Sequence, residues 1–459
     1  MLKVRTLQGL RSVVEQTDTI RVTGYVTRVV GTVIEGQMAD CAVGQMCHIE
    51  TDSTRRLVLA EIIGFNGHNV ILMPLGDMRG LHPGSRIQVI SSSPQVQVGT
   101  ALLGRVLDGM GNPIDGKGPL VCQEETPLYA EPINPFYRRR IHEPLDVGVR
   151  AINALLTVCV GQRMAIMAGS GVGKSTLLGM MARNTTADIN VIGLVGERGR
   201  ELKDFMERDL GTEGLKRSVV VAATSEVPAL IRVRAAFLAT AIAEYFRSQG
   251  QKVLLMMDSV TRFAMAQREV GLAAGEPPTS KGYTPSVFAL LPRLLERVGM
   301  GQEGTTGSIT GLYTVLVEGD DLTEPIADSV RSILDGHIVL SRDLADRGHY
   351  PAIDTLGSVS RLMPDVVEPA HMQAAQKIGS YLAAYRRAET LINIGAYARG
   401  ANPEIDTAIQ MIGDINAFLR QATFDRAEYG ACVALLQRLA QREQHAAVPG
   451  GAPARVAGR

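Results

Sequence analysis

The sequence predicts an α/β fold, a mostly parallel sheet covered by helices on both faces, set between a small N-terminal β-barrel and a C-terminal helical domain. Three observations predict it. Residues 20 to 91 carry short β-rich runs punctuated by glycines. From about residue 136 apolar strand-like runs alternate with helix-like segments. Beyond about residue 370 the strand-like runs stop and two long helical patterns follow. A chain of 459 residues is too long for one compact core, so several domains are expected.

Residues 1 to 18 place Leu7, Leu10 and Val14 at helical spacing with charges between them, which predicts a short N-terminal helix. The runs Ile20–Ile34, Arg56–Phe65, Asn69–Pro74 and Arg86–Ser91 are separated by turns rich in glycine, as a closed or nearly closed barrel over 19–95 requires. Residues 96–135, rich in glycine and proline, read as a connector. In the α/β region, 136–370, the strand candidates are Met164–Met167, Val191–Val195, Ser218–Ala223, Val253–Met257, Ser308–Val317 and His337–Leu340. Met372–Ala398 and Glu404–Leu439 read as helices of a domain spanning 371–440, broken by Gly400, Asn402 and Pro403. The tail, 441–459, is rich in alanine, glycine and proline and is expected to be disordered.

Composition excludes several function classes. Lysine plus arginine and aspartate plus glutamate both number 47, so net charge offers no attraction to nucleic acid or an anionic membrane. No apolar run approaches the roughly 18 residues that a spanning helix needs, and the N-terminus lacks the apolar stretch of a signal peptide; a cytoplasmic protein is expected. The five cysteines are scattered and odd in number, without metal-ligand or disulfide spacing, and read as small buried residues.

The chemistry sits in one dense stretch. Gly169, Ser170, Gly171, Val172, Gly173, Lys174, Ser175 and Thr176 follow an apolar strand and open a helix, with Ala168 standing where glycine is usual. Glycines let successive backbone N–H groups curl around a triphosphate, and the helix turns its positive end toward it. Lys174 is placed to reach the β- and γ-phosphates of ATP, and the Ser175 hydroxyl to ligate Mg²⁺. Lys252–Asp258 is an apolar strand ending in a carboxylate that can hold Mg²⁺ through its water shell; alone, Asp258 reads equally as a cap of the helix beginning near Thr261. Val191–Glu201 is a second strand running into charge, and Glu197 is the first candidate to orient and deprotonate an attacking water, although an acid there also suits a helix N-terminus.

Together, Gly169–Thr176, Gly196-Glu197-Arg198, Asp258-Ser259-Val260-Thr261-Arg262 and Gly357-Ser358-Val359-Ser360-Arg361 resemble the catalytic subunits of rotary ATP synthases. The resemblance covers roughly residues 20 to 440 and is closer to the ATPases of type III protein export, through Gly275–Pro278, Gly282-Tyr283, Pro285–Arg293 and Val317–Asp321 with Pro325–Asp328. Leu391–Tyr397 looks more flagellar than injectisome-like. The resemblance implies a RecA-like ATPase domain between barrel and helical domain, and a homo-hexameric ring with nucleotide between subunits. It makes Glu197 the catalytic glutamate, where non-catalytic synthase subunits carry glutamine, and Arg198 a neighbour in the same site. Tyr350 matches the aromatic that stacks on adenine, Phe424 is a looser second adenine neighbour, and Arg361 matches the arginine finger of the next subunit's site. Such a guanidinium stabilises the charge of the transition state.

The activity implied is ATP hydrolysis, with ATP and Mg²⁺ as ligands, energising flagellar protein export. The implied partners are a regulatory stator-like protein docked on residues 1–18, a coiled-coil stalk protein, chaperone–substrate complexes and a membrane export gate, with the ring peripheral to the inner membrane. Injectisome secretion and ATP synthesis are the alternatives within the enzyme class. A hexameric nucleic-acid translocase needs stacking aromatics and positive charge near its N-terminus, and the first 100 residues hold only Tyr25 and Phe65 as aromatic rings, with nearly balanced charge. A non-hydrolysing ring subunit is disfavoured by Glu197.

Overall fold

The computed structural model describes residues 23–51, 56–91, 94–317, 319 and 321–442. The expected N-terminal helix, the disordered tail beyond residue 442, and two positions of the 317–321 motif lie outside the described residues.

Six strands close the barrel: β1 (Thr23–Val30), β2 (Val33–Gln37), β3 (Met46–Glu50), β4 (Leu57–Asn66), β5 (Asn69–Pro74) and β6 (Arg86–Ser91), ordered β1-β2-β5-β4-β3-β6. Neighbours are antiparallel throughout. Gly31, at φ 58°, lets the chain reverse between β1 and β2 within two residues. Alternate side chains point inward, so Val26, Ile34, Ile49, Val58, Ile62, Leu72 and Ile87 fill the lumen.

The stretch read as a connector forms β7 (Gln95–Val98), β8 (Val106–Leu107) and β9 (Glu124–Pro127). β7 and β9 pair with each other, but β8 joins the edge of the main sheet. That sheet therefore takes its first strand from well before the α/β texture begins. A two-residue strand is too short to leave a periodic signal in sequence.

The main sheet is completed by β10 (Arg163–Ala168), β11 (Ile189–Val195), β12 (Ser218–Ala223), β13 (Lys252–Asp258), β14 (Gly299–Met300), β15 (Ser308–Leu316), β16 (Gly336–Leu340) and β17 (Ile353–Ser360). Its order is β17-β16-β10-β15-β13-β11-β12-β8, with β14 paired to β15. The pairs from β16 through β8 are parallel, whereas β17 and β14 are antiparallel additions. The strands are apolar on both faces because helices cover both. Val191 and Val195 of β11 enter one core with Phe237 and Leu291, while Ile192 and Leu194 enter the other with Leu177 and Met181. β17 combines half-buried residues with the Gly357–Arg361 motif, and its mixed pattern hides it from a search for apolar runs.

The C-terminal helices Pro369–Asn393, Pro403–Leu419 and Tyr429–Gln441 pack Ile378, Tyr381, Ile415, Phe418 and Leu436 onto the second core. Asn402 caps the middle helix by accepting from Glu404 N at 2.9 Å, with Pro403 in the first turn. The first of these helices ends at Asn393 rather than Ala398, where Gly395 takes φ 72°. The expected single run Glu404–Leu439 is interrupted at residues 420–428. Tertiary bonds capture that segment: Gln421 Nε2 donates to Gly148 O and Asp425 O, each at 2.8 Å, and Thr423 O accepts from Arg183 at 2.7 Å.

Candidate functional site

The parallel strands end along one edge of the sheet, and the predicted site residues other than Arg361 and Phe424 converge there. β10 runs into the 169–173 loop and then into the helix Lys174–Asn184. Gly171 and Gly173 take φ 80° and 96°, values a side chain would strain, and their conformation curls the loop. β11 ends at Val195, and Gly196 turns the chain toward Glu197. A Cβ on Gly196 would meet Arg262 Cβ at 2.7 Å, so a glycine is what lets the turn after β11 pass this close to Arg262. β13 ends at Asp258, followed by a cis peptide to Ser259, whose hydroxyl caps the next helix by accepting from Arg262 N at 3.2 Å.

Lys174 Nζ donates to Asp258 Oδ1 at 2.6 Å and to Glu197 Oε1 at 3.4 Å. The three side chains are 12, 5 and 14% exposed, which keeps their mutual fields strong. Burial pulls the Lys174 ammonium down, but the Asp258 and Glu197 carboxylates outweigh it and hold it above its usual value. Burial and then the Asp258 charge push Glu197 up to about 7, against the pull of Lys174. A carboxylate poised near neutrality is the state that a general base needs.

Lys174 and Glu197 line a cleft of about 700 Å³ that also takes in Gly169–Gly171, Gly173, Ser175, Thr176, Arg198, Glu201 and Arg262, whereas Asp258 is buried outside that lining and reaches it through Lys174. Arg198 is exposed at its mouth. A cavity of about 200 Å³ adjoins it, lined by Val172, Gly173, Thr176, Tyr350, Gln421 and Thr423. A Cβ on Gly173 would lie 3.8 Å from the Tyr350 ring, so the aromatic rests against the phosphate loop. Phe424 lies outside this lining: its ring is 74% exposed with the Arg183 guanidinium 5.1 Å from its centroid, and it is Thr423, one residue earlier, that faces the cavity. Arg361 is also apart from the cleft of its own chain. It donates to Leu334 O at 3.2 Å and Arg331 O at 3.3 Å, at the end of the helix Pro325–Ile333.

Sequence reasoning left four neighbours without a role. Arg262 stood inside the 258–262 motif, and Glu201 followed Glu197 by one helical turn, a visible signal in each case. Gln421 and Thr423 reach the site only through the tertiary capture of the 420–428 segment, which no local pattern announces.

Residues 148–360 match the nucleotide-binding domain of the ATP synthase alpha/beta family, residues 26–89 its beta-barrel domain, and residues 367–438 the T3SS EscN ATPase C-terminal domain. The chain is 52% identical over 440 residues to the flagellum-specific ATP synthase of Bacillus subtilis (strain 168), covering 95% of this chain and 99% of that protein. The chain belongs to the flagellum-specific and type III secretion ATPases. This ATPase is also 49% identical to the type 3 secretion system ATPase of Xanthomonas euvesicatoria, over 90% of this chain and 93% of the other. Its fold superposes on the assembled ATPase EscN of enteropathogenic E. coli with a TM-score of 0.85 at 45% identity, over 91% of this chain and all of that one. A structure of EscN with its central stalk EscO gives a TM-score of 0.83 with the same coverage. The barrel, nucleotide-binding core and helical domain read from the sequence are thus those of the export ATPases, and among the described residues no helix is long and apolar enough to cross a membrane.

Proposed function

We propose that this ATPase hydrolyses Mg–ATP at the interfaces of a homo-hexameric ring and energises protein export through a flagellar type III apparatus. The observation that carries the chemistry is the contact of the Lys174 ammonium with both the Glu197 and Asp258 carboxylates at the phosphate loop. The kinship with flagellum-specific enzymes at about half identity over nearly the whole chain supports the export role.

Backbone N–H groups of 169–173 cradle the β-phosphate, and the Lys174 ammonium exchanges its carboxylate partners for phosphate oxygens. Tyr350 packs on the adenine. Released from Lys174, Glu197 accepts the proton of the water that attacks the γ-phosphate. A divalent metal fits the donor set: one carboxylate, Asp258, and one hydroxyl, Ser175, are hard oxygen ligands, and among the described residues no cluster of three ligating side chains competes for the ion. When bound, Mg²⁺ neutralises phosphate charge. Arg361 completes the neighbouring subunit's site, since its place at the end of the Pro325–Ile333 helix keeps it out of its own.

The ring takes a coiled-coil stalk in its centre, as the pairing of EscN with its central stalk EscO suggests. The segment 1–18 docks the regulatory partner, and chaperone–substrate complexes and the membrane gate complete the route. Expression in a flagellate strain lacking its own export ATPase tests the proposal. The intact chain should restore filament assembly and motility while Glu197→Gln does not. Restoration of injectisome secretion alone would move the assignment to virulence secretion.

A further inference from the structure

β15 lies between the phosphate-loop strand β10 and the Asp258 strand β13, and Thr314 stands near its end, beside Ile166 on one side. Its neighbours Leu312, Tyr313 and Val315 are buried core residues, and Thr314 itself is wholly buried. A valine would fill the same space there without the cost of burying a hydroxyl, so a hydroxyl at this place must be satisfied by a bond. It is: Thr314 Oγ1 lies 2.6 Å from Asp258 Oδ1, with the Met257 carbonyl more distant at 3.3 Å. The same Asp258 oxygen accepts from Lys174 Nζ. One carboxylate oxygen is therefore held by two donors of different kinds. The ammonium is on a flexible stem and has a second destination in the phosphates, whereas the hydroxyl is fixed on the central strand.

We propose that Thr314 is a positioning residue for ATP hydrolysis: it keeps the Asp258 carboxylate in its orientation when Lys174 leaves for the phosphates, so that the other carboxylate oxygen is presented to the metal's water shell. Without the hydroxyl, Asp258 would be free to turn at the moment its lysine partner departs, and metal-dependent binding would pay for reordering it. This rests on the reading of Asp258 as the metal carboxylate.

The test is binding of a fluorescent ADP analogue to the full chain with and without Mg²⁺, alongside Mg²⁺ titration of phosphate release. Thr314→Val should raise the Mg²⁺ concentration for half-maximal effect about tenfold, equivalent to about 1.4 kcal/mol. It should leave metal-free nucleotide affinity within about twofold. Thr314→Ser, which keeps the hydroxyl, should restore the metal dependence to within about twofold of wild type. Thr314→Ala carries the same test if valine crowds the strand. Asp258→Asn separates the two levels of the argument. If it shifts the Mg²⁺ dependence while Thr314→Val and Thr314→Ala do not, the positioning role is overturned and the metal reading stands. If Asp258→Asn leaves the dependence unchanged, the metal reading itself fails. Equal weakening with and without Mg²⁺ in the threonine variants, accompanied by a lowered melting temperature, would make Thr314 a packing residue and overturn the proposal.

Discussion

Lys174 Nζ and Asp258 Oδ1 lie 2.6 Å apart although 84 residues separate them in the chain. They meet because β10 and β13 both flank β15, which brings the start of one helix and the end of another strand to the same edge of the sheet. The third member, Glu197, comes from β11 on the far side of β13. Two carboxylates share one ammonium, and burial together with the Asp258 charge pushes the Glu197 carboxyl up despite the pull of Lys174.

The raised pKa of Glu197 gives a pH prediction. The base works only when ionised, so kcat/KM, which reports the free enzyme, should rise with pH through about 7. Glu197→Gln should bind nucleotide with little change, turn it over roughly 10²- to 10⁴-fold more slowly, and lose that rising limb. Steady-state phosphate release across pH 5.5 to 8.5, paired with nucleotide titration, checks both. A variant that loses binding along with turnover would mark Glu197 as structural.

Glu61 predicts a pH-dependent stability unrelated to catalysis. It sits buried in β4, facing Arg234, with Oε2 lacking a hydrogen-bond partner among the described residues. Burial pushes its carboxyl up to about 7, against the pull of Arg234. The folded state therefore holds a proton between about 4.5 and 7 that the unfolded chain has released, and stability falls as pH rises through that window. Glu61→Gln should melt several degrees higher than wild type at pH 8, a gain of up to about 3 kcal/mol, and nearly alike at pH 4.5. A gain that is the same at both pH values would contradict the assignment.

Arg361 should act in trans. A finger of this kind contributes roughly a thousandfold or more in rate. Arg361→Ala should fall by that order, and wild-type specific activity should rise with protein concentration as rings form. Mixing Lys174→Ala subunits with Arg361→Ala subunits should recover activity at interfaces that pair an intact lysine with an intact arginine. Mixed rings no more active than either parent would count against a shared site.

Much of this site was legible in the sequence because its parts follow local rules. The glycines and Lys174 announce a phosphate loop by spacing, and Asp258 announces itself as a charge at the end of an apolar strand. The barrel was legible from its turns and the parallel sheet from its doubly buried strands. What stayed hidden depends on distant partners. Thr314 is one hydroxyl in an apolar run, and only the pairing of β15 with β13 gives it Asp258. The break at 420–428 is imposed by Gly148 and Arg183, so helical periodicity ran straight through it. Phe424 carried the adenine resemblance, but Arg183 holds its ring outside the cavity that Thr423 lines.

The central claim is that the cleft hydrolyses ATP through the phosphate loop, and the most direct measurement is phosphate release by the full chain compared with Lys174→Ala, each beside a thermal melt. The lysine is 12% exposed and bonded to two site carboxylates at the start of the loop helix. The account predicts turnover lost in a variant that still folds and melts cooperatively. A folded Lys174→Ala protein that hydrolyses ATP near the wild-type rate would contradict it.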